Sequence, residues 1–502
     1  MDFAPGNRQP VPLTSTRLNR PIVVLIALLA AILVVALLAN GRRGVLALAG
    51  VAGIGGLAWA VRRVSLDPFW LIFALVLEET CPYLNVLPFD SSSRWWLRYP
   101  LLLGLCMPAV PAIWKSGILK RGYFLGYLIY FGWAAVSISF SKYPAVSAGR
   151  LLPTVLLFCA LSLIACKVRS GSDVQTVLGR YLMGCGVLLA LTAVAAIAFP
   201  NSVSIESAEH ATTEVFSWVQ DEDGLVRFSG FFSQANDVGS LMLVTVCAGL
   251  GHWHATSGRR RQLLAIAMIV SVIFGLMADS RSAFVASAAG AASFAIWKYR
   301  FRGFAACLCV GVLLVGIYYA MGEGQRTYVN RDIDTFTGRT TVWQFEMSKV
   351  AQSPLLGYGF DVEGGLFEDR YFPDWTEFFE GGPLVELHNG YLSIAIGMGF
   401  PALMFWLFLL LGPWISLFRR EDDNWHLKPL FFFVVVPALL RAFVESGIGE
   451  PRYPEGLLLF LCWTLAERYR LGRRAAEASE RSTKRVSSGV NFRRLLAEDR
   501  AV

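Results

Sequence analysis

The sequence predicts an all-α integral membrane protein that crosses a lipid bilayer many times. Of its 502 residues, 55% are hydrophobic and only 16% are charged, whereas soluble domains carry about 25% charged residues. Apolar runs long enough to cross a hydrocarbon core, roughly 17 to 25 residues each, recur between Pro21 and Arg468. The short links between these runs are rich in arginine and lysine, which is typical of cytoplasmic loops.

The apolar runs predict about 12 to 14 membrane helices. The run at residues 21–39 follows Arg17 and Arg20, but it is longer and more apolar than a signal peptide, so we expect a retained span. The third run is short enough to be re-entrant. The helices are predicted to begin near Pro21, Gly44, Asp67, Leu97, Phe124, Leu151, Tyr181, Phe231, Gln262, Ser282, Gly303, Leu387, Pro429 and Pro454.

The distribution of basic residues predicts how the chain is oriented. Basic links occur an even number of predicted spans apart, at residues 115–121, 167–180, 259–261, 298–302 and 419–420. Because basic links favour the cytoplasmic side, we expect both termini in the cytoplasm; the resemblance described below implies that the membrane is a bacterial inner membrane. In this scheme Arg42 and Arg43 lie outside, in a hairpin short enough to tolerate them.

Composition and link length divide the chain into five parts. We expect a cytoplasmic segment (1–20), N-terminal membrane helices (21–226), a central core (227–401) whose bounds follow from the resemblance described below, C-terminal membrane helices (402–468) and a basic cytoplasmic tail (469–502). Two connections, 201–227 and 322–386, are too long for simple turns and fall outside. The second holds twelve acidic and five basic residues together with several aromatic ones, which predicts an ordered external subdomain.

Three arginines lie where external segments meet the membrane. Arg281 separates two apolar runs, Arg227 opens a segment that ends at Asn236, and Arg339 opens one that ends at Trp343. A charge at membrane depth is costly and is by default a functional hypothesis, and guanidinium groups suit phosphate oxygens. We interpret the three arginines as converging on one external phosphate site. The alternative is that each contacts lipid headgroups or pairs with a nearby acid, such as Asp279.

One histidine lies where the large external loop meets a membrane helix. His388 stands between Glu386 and the Asn389-Gly-Tyr391 sequence. Because its unperturbed pKa is near 6.5, it could accept a proton from a sugar hydroxyl as a general base, with Glu386 orienting it or replacing it. The alternative is a helix-entry histidine whose ring is satisfied by a backbone carbonyl.

The motifs that the sequence lacks narrow the reaction. It contains no phosphate-binding Gly-x-x-x-x-Gly-Lys-Ser/Thr loop and no dinucleotide-binding glycine pattern, so bond formation outside the cell needs a donor that arrives activated. Asp332 and Asp334 could chelate a metal, but such pairs occur by chance in so acidic a loop. We predict no metal site and no cofactor. The basic residues lie in links and tail, so no nucleic-acid binding is predicted.

Four stretches resemble the O-antigen ligase and polymerase superfamily. They are 227–236, 279–283, 338–343 with 353–359, and 388–392, arranged around one large external loop. The resemblance covers roughly residues 227–401 and implies a membrane glycosyltransferase fold, an undecaprenyl-diphosphate-linked glycan donor and metal-independent transfer. It implies that Arg281 and Arg339 bind the diphosphate with Arg227 as a third arginine, and that His388 is the base or positions the acceptor.

Together these features predict an enzyme that builds surface polysaccharide on the periplasmic face. We favour an exopolysaccharide or O-antigen polymerase; a ligase that attaches glycan to lipid A core, a transporter of lipid-linked sugar and a scaffold of an export complex remain alternatives. The expected partners are the bilayer, the lipid-linked oligosaccharide, an acceptor glycan or lipid A core, and other assembly proteins. The catalytic candidates are His388, Arg281 and Arg339, and the substrate-binding candidates are Arg227, Asn236, Glu386, Asn389, Tyr391 and Trp343.

Overall fold

The computed structural model describes most of the chain after residue 66. The described residues are 67–80, 102–106, 110–198, 203–205, 218–220, 226–232, 234–320, 339–362, 366, 389–419, 427–445 and 454–498. All of them belong to one compact unit, Arg63–Val502. The helices predicted to begin near Pro21 and Gly44 lie outside these residues, and of the one predicted near Leu97 only 102–106 are described.

The described chain is almost entirely helical, which confirms the predicted all-α class. Its helices are α1 (Trp70–Thr80), α2 (Val110–Ser116), α3 (Gly122–Ser137), α4 (Pro144–Lys167), α5 (Gly171–Ala198), α6 (Ala235–His252), α7 (Gly258–Met277), α8 (Arg281–Tyr299), α9 (Phe301–Ala320), α10 (Arg339–Gln352), α11 (Gly390–Phe418) and α13 (Pro454–Glu498). Between the last two, Lys428–Leu430, the π-helical Phe431–Val435 and Val436–Arg441 form one continuous segment, α12. Single 3-10 turns occur at Ile118–Lys120, Ile138–Phe140 and Trp253–Ala255.

Six of the described helices are long and apolar enough to cross a membrane. They are Gly122–Phe140, Pro144–Lys167, Gly171–Ile197, Ala235–Ala255, Gly258–Met277 and Gly390–Phe418. Their outer faces are apolar: Ile266, Ile269 and Ile273 of α7 are each about half exposed. Because contact of such faces with water is unfavourable, these helices face lipid, and the chain is a multi-pass membrane protein as predicted.

The start of α5 corrects one predicted boundary. The sequence predicts a basic link at 167–180, but the helix begins ten residues earlier than the predicted Tyr181, at Gly171. The Asp173 carboxylate accepts from the backbone N–H groups of Arg169 and Ser170, and the Ser170 hydroxyl accepts from the Asp173 N–H. This reciprocal capping starts a helix ahead of the apolar run, so the basic residues occupy its first turns.

The long connection at 201–227 contains the strands that the structure describes. Strands β1 (Val203–Ile205), β2 (Trp218–Gln220) and β3 (Val226–Phe228) form one sheet in that order. The first pair is parallel and the second antiparallel. The Phe228 ring lies 5.3 Å from that of Phe274 in α7, which holds the sheet against the end of a membrane helix.

A break in α11 receives the chain that follows α10. Gly399 has φ +83°, and the N–H groups of Tyr358 and Gly359 donate to the carbonyl oxygens of Ile396 and Gly397, both at 2.8 Å. The N–H of the residue after the break donates to the Pro354 carbonyl at 2.8 Å. Helix α10 therefore runs beside the first half of α11, with its C-terminal end fixed at the break.

Helix α13 forms the centre of the described bundle. Its Trp463 is fully buried, lies 4.6 Å from the Tyr127 ring of α3 and donates from Nε1 to the Leu409 carbonyl of α11 at 2.8 Å. Four residues further on, the buried Glu467 accepts from the Tyr123 N–H at 2.9 Å and pairs with Arg470 through two 2.6 Å bonds. The helix is therefore fixed to α3 at two levels.

Candidate functional site

The C-terminal end of α12 collects residues from several helices. We call residues 441–445, the last turn of α12 and its continuation, the hub. The Gly390 N–H at the start of α11 donates to the carbonyl oxygens of Ala442 and Glu445, at 2.8 and 3.0 Å. Arg339, the first residue of α10, donates from Nη1 to the Val444 carbonyl at 2.7 Å, and its Nη2 lies 3.6 Å from the Glu445 carboxylate. The hub thus joins the N-terminal ends of α10 and α11.

Arg339 is held in this position by the turn that follows α12. Helix α12 ends at Arg441, and the N–H groups of Val444 and Glu445 donate to the Arg441 carbonyl, both at 2.9 Å. The Arg339 guanidinium donates to the Val444 carbonyl of this turn and faces the Glu445 carboxylate. Its side chain remains 18% exposed, so it is accessible from outside the protein core.

Arg441 is a buried arginine at the first position of the hub, and it was not among the residues predicted from the sequence. Its side chain is 3% exposed and forms an ion pair with Glu455 of α13. It donates to the Ser240 hydroxyl of α6 at 2.8 Å and to the Ser282 hydroxyl of α8 at 3.4 Å, and it reaches the Asn236 carbonyl at 3.5 Å. One guanidinium therefore joins α6, α8 and α13 to the end of α12.

A signal that identifies Arg441 is present in the sequence. It lies in Pro-Ala-Leu-Leu-Arg-Ala-Phe-Val, where a charge is flanked by apolar residues on both sides. This is the criterion that singled out Arg281, since a charge within a membrane segment needs a partner. Its partner Glu455 is the second residue of α13, directly after Pro454.

Arg281 is the first residue of α8 and lies in the tight α7–α8 hairpin. Its guanidinium pairs with Asp279, with Nη2 and Oδ2 at 3.3 Å, and its side chain is 42% exposed. Asp279 has φ +48°, a left-handed conformation that aspartate tolerates better than most residues. The pairing with Asp279 that the sequence left open is therefore present. The next residue, Ser282, contacts Arg441, which connects Arg281 to the hub.

Arg227 lies in β3, where it is paired with Val219 of β2. The following residue, Phe228, is buried against Phe274 near the end of α7. Arg227 is thus carried by the small sheet at the end of α7 that leads into the Arg281 hairpin. The structure places it near the same end of the bundle as Arg281.

The other described candidates have structural contacts around the hub. The Asn389 side chain caps α11 by accepting from the N–H groups of Tyr391 and Leu392, both at 3.1 Å. The Tyr391 hydroxyl donates to the Leu439 carbonyl at 2.7 Å, and Trp343 lies in α10 and is half-buried. Their roles in substrate binding stay predictions. Asn236, at the start of α6, reaches Arg441 through its backbone carbonyl.

Some predicted residues lie outside the described part of the chain. These are Glu386, His388, Asp332 and Asp334. His388 directly precedes Asn389, whose neighbour Gly390 is fixed to the hub, so the chain enters the described structure at the hub. Among the described residues, no cluster of three or more His, Cys, Asp or Glu side chains could hold a metal ion.

Two arginine side chains and the N-terminal ends of two helices lie near the hub. Arg281 and Arg339 are the first residues of α8 and α10, so two helix N-terminal ends adjoin this region. Helix N-terminal ends carry partial positive charge that favours anions. The first N–H groups of α11, in contrast, already donate to the hub carbonyls and to the Asn389 side chain. Two partly exposed guanidinium groups beside such ends are suited to an anion with several oxygen atoms.

Comparison with known proteins agrees with this geometry. A model of the family described as O-Antigen ligase matches residues 266–407. The exopolysaccharide production protein ExoQ of Rhizobium meliloti (strain 1021) is 24% identical over 263 residues, which cover 47% of this chain and 58% of that protein. Over residues 266–407 the chain is similar to the O-antigen ligase family, and it is similar to ExoQ over a longer stretch.

The superfamily match covers only part of the site. It contains Arg281, Arg339 and Asn389 but not Arg227, Asn236 or Arg441. It begins later than the resemblance predicted from the sequence motifs, which extends from residue 227. The chain spans somewhat more than half the length of the curated relative that it matches.

Proposed function

We propose that this protein is a glycosyltransferase that assembles surface polysaccharide. Its donor is a lipid-diphosphate-linked glycan, most simply an undecaprenyl-diphosphate oligosaccharide. The observation that carries the proposal is the position of Arg281 and Arg339. Each opens a helix, and each is connected to the last turn of α12, Arg339 directly and Arg281 through Ser282 and Arg441. This arrangement supports binding of an anion with two phosphate groups.

In the proposed reaction, Arg281 and Arg339 bind the donor diphosphate and stabilise the charge that develops on it as the sugar–phosphate bond breaks. The acceptor hydroxyl attacks the anomeric carbon and loses its proton to His388. The lipid diphosphate leaves with the electron pair of the broken bond. No metal or cofactor is required, because the guanidinium groups supply the positive charge. The acceptor side includes the predicted binding residues Asn389, Tyr391 and Trp343.

A polymerase that extends a lipid-linked glycan on the periplasmic face of the inner membrane is the favoured form of this activity. The relative ExoQ is named for exopolysaccharide production, which supports a polymerase, whereas the matching family is described as O-Antigen ligase. The two differ in the acceptor, which is glycan for a polymerase and lipid A core for a ligase. In both cases the acidic loop lies outside the cell membrane and both termini lie in the cytoplasm, as the charge distribution predicts.

The test is glycan transfer by the purified full-length protein in lipid nanodiscs. The donor is synthetic undecaprenyl-diphosphate oligosaccharide, and the reaction contains EDTA. Wild type and Arg259→Ala, a matched control at an exposed arginine in the first turn of α7, should form product, whereas Arg281→Ala and Arg339→Ala should not. Product longer than two repeat units without added lipid A core indicates a polymerase. Equal activity in all four proteins would reject the site, and loss of wild-type activity in EDTA would reject metal independence.

A further inference from the structure

The turn between α10 and the break in α11 exposes two adjacent leucines. We call residues 354–356 the leucine turn. Leu355 is 66% exposed and Leu356 is 48% exposed, although they lie in a connection rather than on the outer face of a membrane helix. Isolated exposed leucines are ordinary, but two consecutive ones on a turn need a partner if they are not to face water.

The leucine turn lies beside the end of a membrane-spanning helix. Phe360 donates its N–H to the Ser137 hydroxyl at 2.9 Å, and Trp133 donates from Nε1 to the Met398 carbonyl at 3.4 Å. Both Trp133 and Ser137 belong to the span Gly122–Phe140. The break in α11 that receives the turn is therefore level with the last two turns of this span.

The backbone around the leucine turn satisfies its own hydrogen bonds. Gly357 donates to the Ser353 carbonyl at 3.1 Å, and the Ser353 hydroxyl donates to the Gly357 carbonyl at 3.0 Å. Tyr358 and Gly359 donate to α11, as described above, and Pro354 has no N–H to satisfy. Irregular backbone at membrane depth is tolerated only where its polar groups find partners within the protein, and backbone groups on both sides of the two leucines, at residues 353–354 and 357–359, have such partners.

The exposed leucines continue an apolar face that already contacts lipid. Phe400, Met404 and Phe408 of α11 are 48%, 55% and 58% exposed, and their spacing of four residues places them on one side of the helix. The Phe400 N–H donates to the Pro354 carbonyl, so the leucine turn adjoins the Phe400 end of this face. The same bilayer that covers α11 extends to the leucine turn.

We propose that the leucine turn inserts into the acyl chains of the bilayer beside α11 and anchors α10 in the membrane. The occupant of this surface is phospholipid. Helix α10 is then fixed at both ends, at the hub through Arg339 and in lipid through Leu355 and Leu356. If the proposed function holds, this anchor also sets the depth of Arg339 relative to a substrate that is carried on a lipid.

The test uses a photoreactive benzophenone side chain at single positions of the full-length protein in nanodiscs. The nanodiscs contain phospholipid with radiolabelled acyl chains. Position 355 is compared with position 404, on the lipid face of α11, and with position 344, an exposed polar residue of α10. We expect lipid crosslinking at 355 and 404 but only background at 344. Crosslinking at 355 no greater than at 344 would reject the proposal.

A second measurement needs no substitution. Hydroxyl radicals generated in water oxidise exposed side chains, and mass spectrometry locates the modified residues in the unaltered protein. In nanodiscs we expect Leu355 and Leu356 to be protected to the same extent as Phe408. Oxidation of both leucines at the rate expected for water-exposed residues would overturn the proposal. Neither measurement depends on glycan transfer, so its failure is distinct from failure of the proposed function.

Discussion

Arg339 and Val444 connect two segments that are 105 residues apart in the sequence. The Arg339 guanidinium donates to the Val444 carbonyl at 2.7 Å, so a side chain at the start of α10 binds the turn that follows α12. The same side chain faces the Glu445 carboxylate at 3.6 Å. A residue proposed to bind phosphate is therefore held in place by a carbonyl and a carboxylate.

The first prediction concerns the parallel N–H donors of this guanidinium. Arg339→Lys keeps the charge but cannot contact both the Val444 carbonyl and a phosphate with parallel donors. Hydrogen bonds to charged groups contribute about 1.5–3 kcal/mol, so kcat/KM for the lipid-linked donor should fall about tenfold to a hundredfold. Steady-state transfer in nanodiscs measures the change. Lysine that supports the wild-type rate would show that charge alone is needed at this position.

The second prediction concerns the buried pair of Arg441 and Glu455. Arg441→Ala removes one partner and leaves the Glu455 carboxylate partly buried, which costs about 3–5 kcal/mol for a buried pair. Because Glu455 is 20% exposed, we expect the lower end of this range and a clear fall in the thermal unfolding midpoint. The double variant Arg441→Met with Glu455→Gln should recover much of the loss. A single variant as stable as wild type would show that the pair does not hold the bundle together.

The third prediction concerns the break in α11. Gly399 has φ +83°, and a Cβ at this position would overlap the Leu355 backbone, so Gly399→Ala should displace the leucine turn and lower both stability and transfer. Gly132→Ala in α3 is the matched control, because its Cβ would meet nothing within 4 Å and alanine favours a helix. Thermal unfolding of the two variants in the same detergent compares them. Equal midpoints would contradict a requirement for glycine at the break.

The local pattern of the sequence predicted the class of fold and many helix starts. Apolar length placed the starts of α12 and α13 near Pro429 and Pro454, and the structure begins these helices at Lys428 and Pro454. The start of α5 was wrong because its capping residues, Ser170 and Asp173, precede the apolar run that defined the helix. Apolar periodicity locates what faces lipid or core, whereas polar caps decide where a helix begins.

The convergence at the hub could be predicted only in part. Arg281 was found because its charge stands between two apolar runs, and Arg339 because it opens a motif in the external loop, but Arg441 was absorbed into the apolar run of α12. Its contact with Ser240 joins residues 201 positions apart, and no local pattern encodes such a separation. The role of Asn389 as a cap was also hidden, because an asparagine before a glycine is compatible with a turn, a cap or a binding residue.

The fourth prediction separates the two roles of Asn389. Its side chain caps α11, and aspartate caps a helix about as well as asparagine while adding a charge that favours the helix N-terminal end. Asn389→Asp should therefore keep the thermal unfolding midpoint of wild type, whereas Asn389→Ala should lose about 1 kcal/mol of stability.

Transfer should respond differently from stability. A carboxylate at position 389 repels a diphosphate bound near Arg339, so Asn389→Asp should raise the KM for the lipid-linked donor although the protein remains folded. Raising the salt concentration should reduce this difference, because salt screens repulsion between accessible charges. If Asn389→Asp has the donor KM of wild type while Asn389→Ala is less stable, Asn389 acts only as a helix cap, and the diphosphate does not bind beside the start of α11.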